Sequence, residues 1–208
     1  MKIDALILDV DGTLWDSTPI VSAAWTRALQ EGGINDRIVT ADDLKHEFGK
    51  PMNVIADDLL PHVSPEIRYS VMDVCCEYEQ KALQDDPCQI CFPGVLDTIR
   101  KLSEKIPVCI VSNCQSGYIE LFMEKTGLTD VIKDTECFGD TGLSKAENIR
   151  LVSERNGFLH PAYVGDTMGD QEACEEAGVP FIFAEYGFGE SSSHAVVISS
   201  FSQLLDLI

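Results

Sequence analysis

Near its start the chain places an apolar run directly against two carboxylates: Leu6-Ile7-Leu8 leads into Asp9, Val10 and Asp11, and then Gly12 and Thr13. A short apolar run of this kind reads as a strand buried in a sheet. Burying a single unpaired carboxylate costs on the order of several kcal/mol, and two close together repel as well. A turn that only reversed the chain would need one Asp or Asn beside its glycine. Whatever the chain folds into must therefore bring a cation, or donors able to hold two carboxylates, to the end of its first strand.

Residues 19 to 85 carry helical periodicity. Val21, Ala24, Trp25, Ala28 and Leu29 recur at three- and four-residue spacing until Gly32-Gly33. ADDLKHEF, with acids in its first turn, and Met52 to Leu60 read as two further short helices. A long helix follows Pro61 and Pro65, with Ile67, Val71, Val74, Cys75, Tyr78 and Ala82 expected on its inward face. From Pro93 the rhythm changes to short apolar runs between helices. Strands are expected at residues 108–112 (VCIVS), near Val131 to Lys133, at AYVGD, at VPFIFA and at VVIS. Helices are expected at Val95 to Ser103, 117–126, Ser144 to Asn156, Gly169 to Ala177 and FSQLLDLI, and the SSSH stretch at 191–194 reads as a loop. Strands alternating with helices indicate an α/β protein built on a parallel sheet covered on both faces. The first strand belongs to that sheet, so residues 17–91 form a helical insert in a core made of 1–16 and 92–208.

Composition narrows the partners. The 208 residues suffice for one domain carrying a smaller inserted one. Fifteen basic residues against 35 acidic ones give a formal charge of −20, which disfavours nucleic acid and anionic lipid. No stretch approaches the ~18 apolar residues of a membrane span. MKIDALILD reads as neither a signal peptide nor an anchor, so a cytoplasmic location with its eight cysteines reduced is expected. Cys88 and Cys91 form a C-x-x-C, but no second pair exists to complete a zinc site, and small buried residues are the simpler reading.

Parallel sheets gather ligands beyond the carboxyl ends of their strands. The first strand delivers Asp9, Asp11 and Thr13 there, and the second delivers Ser112 and Asn113. Lys145 opens the helix after the third, and GDTMGD brings Asp166 and Asp170. Carboxylate oxygens suit Mg²⁺; hydroxyls, amides and a lysine suit a phosphate. If the chain stays extended, Asp9 and Asp11 share a side, one able to attack phosphorus and the other to handle a proton. A metal that neutralises the pair would offset the cost posed by the first strand.

D-x-D-G-T, then V-S-N, an isolated lysine and G-D-x-x-x-D, in this order, resemble the haloacid dehalogenase superfamily, specifically its phosphatases with a helical cap inserted after the first motif. F-P-G-V at 92–95 resembles the segment that returns from cap to core. The resemblance covers essentially the whole chain and implies a Rossmann-like parallel core. It also implies roles. Asp9 is the nucleophile and Asp11 the general acid and base. Ser112, with its neighbouring amides, holds phosphate, and Lys145 balances charge. Asp9, the backbone carbonyl of Asp11, Asp166 and Asp170 form the Mg²⁺ site. The second aspartate favours phosphate esters over haloacids. The closest likeness is to the phosphoglycolate phosphatase group, with a small phosphate ester as substrate and no readable oligomeric state.

The cap says less. Lys50, in the Gly49-Lys50-Pro51 turn, is the first candidate to meet a substrate carboxylate or second phosphate, with Lys45 and His46 behind it. Trp15 and Trp25 read as packing, while Tyr186 and Phe188 are placed to wall the site. A phosphonate-cleaving relative would need a cap lysine, Lys50 or Lys45, as Schiff base, and two further alternatives stay open. One is a phosphomutase resembling beta-phosphoglucomutase, against which EFGKPMN offers a lysine and no arginine. The other is a non-catalytic module that accepts phosphate on an aspartate.

Overall fold

The structure, a computed structural model, describes residues 3–192 and 196–208. Six parallel strands form one sheet: β1 (Ala5–Leu8), β2 (Val108–Ser112), β3 (Asp134–Cys137), β4 (Pro161–Gly165), β5 (Phe181–Ala184) and β6 (Val196–Ile198). Their spatial order is β3-β2-β1-β4-β5-β6, an α/β Rossmann-like arrangement. The order reverses direction at β1, where such sheets open a crevice. Leu8 pairs with Ile110 on one side and with Val164 on the other. Asp9 and Asp166, just after their strands, and Ser112, the last residue of β2, therefore emerge side by side.

Nine α-helices are described: α1 (Thr18–Glu31), α2 (Ala41–Glu47), α3 (Met52–Leu59), α4 (Pro65–Asp85), α5 (Val95–Ser103), α6 (Tyr118–Thr126), α7 (Phe138–Thr141), α8 (Lys145–Asn156) and α9 (Met168–Ala177). Period-two alternation splits the strands between two apolar layers. Leu6, Leu8, Val108 and Ile110 pack with Ile99 of α5 and Phe122 of α6, whereas Ile7, Cys109 and Val111 pack with Ile149 of α8 and Cys174 of α9. In α5, Val95, Thr98, Ile99 and Leu102 are buried, the spacing of one helical face. Helices α1 to α4 lie between β1 and α5 in the chain, and α1 packs along α4.

Several expectations are corrected. The third strand runs over Asp134–Cys137 and not near Val131–Lys133, because the amides of Val131 and Ile132 both turn back to the carbonyl of Leu128. This edge strand pairs only with β2 and tolerates polar residues; Arg155 forks onto Asp134 and Glu136 there. Strands β1, β5 and β6 are shorter than the apolar runs suggest, and Phe201–Asp206 is 3-10 rather than α-helical. On α4, Ile67 and Val74 face outward, and the buried residues are Val71, Met72, Cys75, Glu79 and Leu83. Residues 193–194 of the SSSH stretch lie outside the described residues.

Candidate active site

Asp9 follows β1 and is 1% exposed. Lys145, the first residue of α8, extends its ammonium to Asp9 Oδ1 at 3.1 Å and to Asp170 Oδ1 at 2.5 Å, with both lysine and carboxylates buried. Burial alone would drive the proton off Lys145, but Asp170 and Asp9 outweigh it and the lysine stays charged. Asp170 sits in the first turn of α9, where its Oδ2 accepts from the amides of Asp166 and Thr167 and from the Thr167 hydroxyl. Asp166 accepts from the Thr13 hydroxyl at 3.0 Å and from the amide of Phe188 at 2.8 Å.

Asp9, Asp166 and Asp170 bring oxygens within 4.8 Å of one another. Three buried carboxylates against one ammonium leave an excess of negative charge, and burial with mutual repulsion pushes Asp166 well above the usual carboxylate range. Asp9 is raised to about 6, burial outweighing the pull of Lys145. The backbone crowds close around this cluster. A Cβ on Gly12, whose φ is +78°, would sit 2.1 Å from Asp166 Oδ2, and one on Gly187 would sit 2.5 Å from the carbonyl oxygen of Gly12. Hard oxygens, excess negative charge and a cradle closed by glycines fit a small divalent cation such as Mg²⁺.

Asp11 occupies a different setting. The chain turns at Val10, whose carbonyl accepts the amides of Thr13 and Leu14. Asp11 thereby faces the cleft from a turn and not from an extended strand. Its Oδ1 accepts from Ser17 Oγ at 2.6 Å, Tyr118 Oη at 2.8 Å and Trp15 Nε1 at 3.1 Å. Ser17 precedes α1, yet its side chain makes no helix-capping bond. Asp16 takes that task, accepting from the amide and hydroxyl of Thr18. Burial lifts Asp11 to about 7 against the opposing effect of these hydrogen bonds, a proton affinity suited to acid–base work near neutrality.

Across the cleft stands Glu79 of α4, which the helical pattern did not single out. It is 3% exposed and accepts from Trp25 Nε1 at 2.7 Å and Gln115 Nε2 at 2.9 Å. Burial, with Asp11 nearby, lifts it to about 8. Asn113 donates to the carbonyl of Gly49 at 2.7 Å, tying the turn after α2 to the end of β2. The cavity lined by Asp9, Asp11, Glu79, Ser112 and Asn113 among others is narrow, about 30 Å³, room for roughly one or two waters.

The remaining expected residues are placed as follows. Ser112 lines the cavity beside Asp9. The Thr13 hydroxyl is engaged by Asp166, and its carbonyl accepts from Tyr186 at 2.8 Å. Lys50 borders the cleft with its ammonium 2.8 Å from both Glu47 and Asp58. Lys45 lies 3.8 Å from Asp16, and His46 Nδ1 meets the carbonyl of Asp42. With Lys50 and Phe188 they line an adjoining open cavity of about 580 Å³. Trp15 and Trp25 pack in the interior, yet each also donates to a cleft carboxylate. Tyr118 was legible only by its place opening the helix after V-S-N.

The sequence profile of the haloacid dehalogenase-like hydrolases matches residues 6–184. The chain belongs to that family and is an enzyme. A phosphoglycolate phosphatase of Rhodobacter capsulatus is 24% identical over 213 residues, covering 98% of this chain and 96% of the relative. One from Synechococcus elongatus is 29% identical over 196 residues, covering 92% and 88%. Among solved structures, a haloacid dehalogenase-like family hydrolase of Streptococcus pneumoniae superposes with a TM-score of 0.84 at 19% identity, covering 99% and 98%. The Rhodobacter sphaeroides protein CbbY, in complex with xylulose-1,5-bisphosphate, superposes at 0.80 with 16% identity, covering 98% and 96%. Among the described residues no helix is long and apolar enough to cross a membrane.

Proposed function

We propose that the chain is a Mg²⁺-dependent phosphatase that hydrolyses a small phosphomonoester through an aspartyl-phosphate on Asp9. One observation carries this reading: two carboxylates face one narrow cleft with opposite equipment. Asp9 is gripped by Lys145, while Asp11 is held by three neutral donors at a proton affinity of about 7. In this mechanism the Asp9 oxygen not held by Lys145 attacks phosphorus. Asp11 gives its proton to the departing alcohol oxygen, then takes one from the water that cleaves the acyl phosphate. Ser112 and its neighbouring amides hold the phosphoryl oxygens. Mg²⁺, held by Asp9, Asp166 and the Asp11 carbonyl with Asp170 in support, would supply the charge neutralisation that phosphoryl transfer requires.

Residues 17–91 then act as a cap over a core of 1–16 and 92–208. A cavity of about 30 Å³ cannot take in an ester, so this cap must lift to admit one. Lys45, His46 and Lys50 would soften the negative field of an acidic protein along the adjoining cavity, where an anionic ester arrives. All eight cysteines are free thiols, in keeping with a reducing, cytoplasmic setting. The test is phosphate release from a panel of small phosphomonoesters, phosphoglycolate included, with Mg²⁺, with chelator and with Asp9→Asn. Metal-dependent release that Asp9→Asn abolishes is expected; release indifferent to the substitution would remove Asp9 as nucleophile. Transfer between positions of a sugar phosphate without net release would instead mark a mutase.

A further inference from the structure

Phosphoglycolate carries a carboxylate beside its phosphate, and the cap side of this cleft offers such a group little. Lys50 is the one cation among the residues that line the cavity apart from the catalytic core, and its ammonium is already shared by Glu47 and Asp58. One cap group lining the cavity is itself a carboxyl, Glu79. Glu79 is buried, and its two partners, Trp25 and Gln115, are neutral donors that leave each oxygen a further lone pair. Asn113 adds a second acceptor. Its Nδ2 is used on Gly49, while its Oδ1 is buried without a hydrogen-bond partner among the described residues. A buried polar atom left unpaired is uncommon and invites a ligand donor. The aromatic rings of Trp25 and Phe48 and the side chains of Met52 and Ile55 complete this wall, and none of them binds an anion.

We infer that Glu79 and Asn113 Oδ1 form the subsite for the leaving alcohol, selecting one that bears a hydrogen-bond donor, hydroxyl or ammonium, and rejecting one that bears a carboxylate or second phosphate. This assignment rests on the phosphatase reading above and narrows it, setting the chain apart from the substrate that its relatives' names print. The burial that makes Glu79 reluctant to ionise acts on any second anion placed beside it. A donor from the substrate would satisfy Asn113 and Glu79 together, whereas a carboxylate would have to draw Lys50 away from two acids.

The decisive comparison is kcat/KM of the Mg²⁺-loaded enzyme for three esters of similar size, glycerol 1-phosphate, phosphoethanolamine and phosphoglycolate, with p-nitrophenyl phosphate as a measure of chemistry alone. Either donor-bearing ester is expected to exceed phosphoglycolate by about tenfold or more, since only a donor satisfies Asn113 Oδ1 and Lys50 is already held by two acids. Glu79→Gln should narrow that gap about fivefold or more, chiefly through KM, because it exchanges an acceptor oxygen for an amide donor and keeps the shape. A larger loss for phosphoethanolamine than for glycerol 1-phosphate would identify ammonium as the donor; equal losses would identify hydroxyl. Phosphoglycolate as the preferred ester overturns the inference while leaving the phosphatase intact, and so does a Glu79→Gln enzyme with unchanged ranking. If Glu79→Gln does not fold, the wild-type ranking decides alone. Lys50→Met must then leave that ranking unaltered, and its reversal would overturn the assignment. No release from any ester, p-nitrophenyl phosphate included, would be failure of the phosphatase reading itself.

Discussion

The sheet side and the cap side of the cleft are both made of carboxylates with a lysine nearby, and they are balanced in opposite ways. At the sheet side, Lys145 sits between Asp9 and Asp170 with all three buried. At the cap side, Lys50 turns outward to two half-exposed or shielded acids, while Glu79 remains inside with only neutral donors. A buried ion pair is held in place by the cost of separating it, whereas an exposed pair contributes about 0–1 kcal/mol and rearranges freely. The sheet side is thus a fixed charge frame that, on the proposed reading, would serve any phosphoryl group. The cap side is adjustable, and on the proposed reading substrate choice resides there.

This contrast can be broken experimentally, beginning with the frame. Asp9→Asn should lower phosphate release by about a thousandfold or more, as expected for loss of the attacking group; a residual rate above a few per cent would refute the assignment. Lys145→Met leaves Asp9 and Asp170 buried without their cation. It should cost about 3–5 kcal/mol of stability by denaturant unfolding, less with Mg²⁺ present, as well as activity. An unchanged midpoint would mean that the frame is not held by this lysine. Asp11→Asn should reduce turnover of alkyl phosphates by about a hundredfold or more and of p-nitrophenyl phosphate far less, because the latter needs no proton on its leaving oxygen. Equal losses would remove Asp11 as the acid.

The smallest effect concerns pH. Asp9, Asp11 and Glu79, at about 6, 7 and 8, hold protons in the folded metal-free protein that the unfolded chain has already released. The unfolded state therefore binds fewer protons between about pH 4.5 and 8, and stability declines as pH rises through that window. Melting temperature measured in chelator should fall from pH 5.5 to 8, and Glu79→Gln should flatten the upper part of the slope. A profile that rises with pH would contradict the burial of these carboxylates.

What the sequence made legible follows from how local each signal is. Strand β2 and helix α5 were located to the residue, since a continuous apolar run and a clean helical face each identify themselves. The four motifs that meet at the cleft stand at strand ends, where the chain order alone says what will gather. Glu79 was hidden because an acid on a long helix reads as a solvated face. Only the packing of α4 against α1 and the indole of Trp25 turns it inward. Tyr118 and Ser17 were missed for a related reason: their hydroxyls serve Asp11 from 107 and six positions away, and no periodicity reports such a meeting. Strand β3 slipped by a few residues because its polar composition suits only a sheet edge.

The bond from Asn113 to the Gly49 carbonyl joins the end of β2, directly beside Ser112, to the turn after α2. It acts as a latch. On the proposed reading, a chamber that seats one or two waters would have to unlatch to load and again to unload, so each cycle would include two gate movements that involve no bond chemistry. Asn113 therefore belongs to the timing of turnover as much as to binding. An Asn113→Ala enzyme would be expected to load faster, to shield its acyl phosphate from bulk solvent less well, and to lose the dependence of its rate on solvent viscosity.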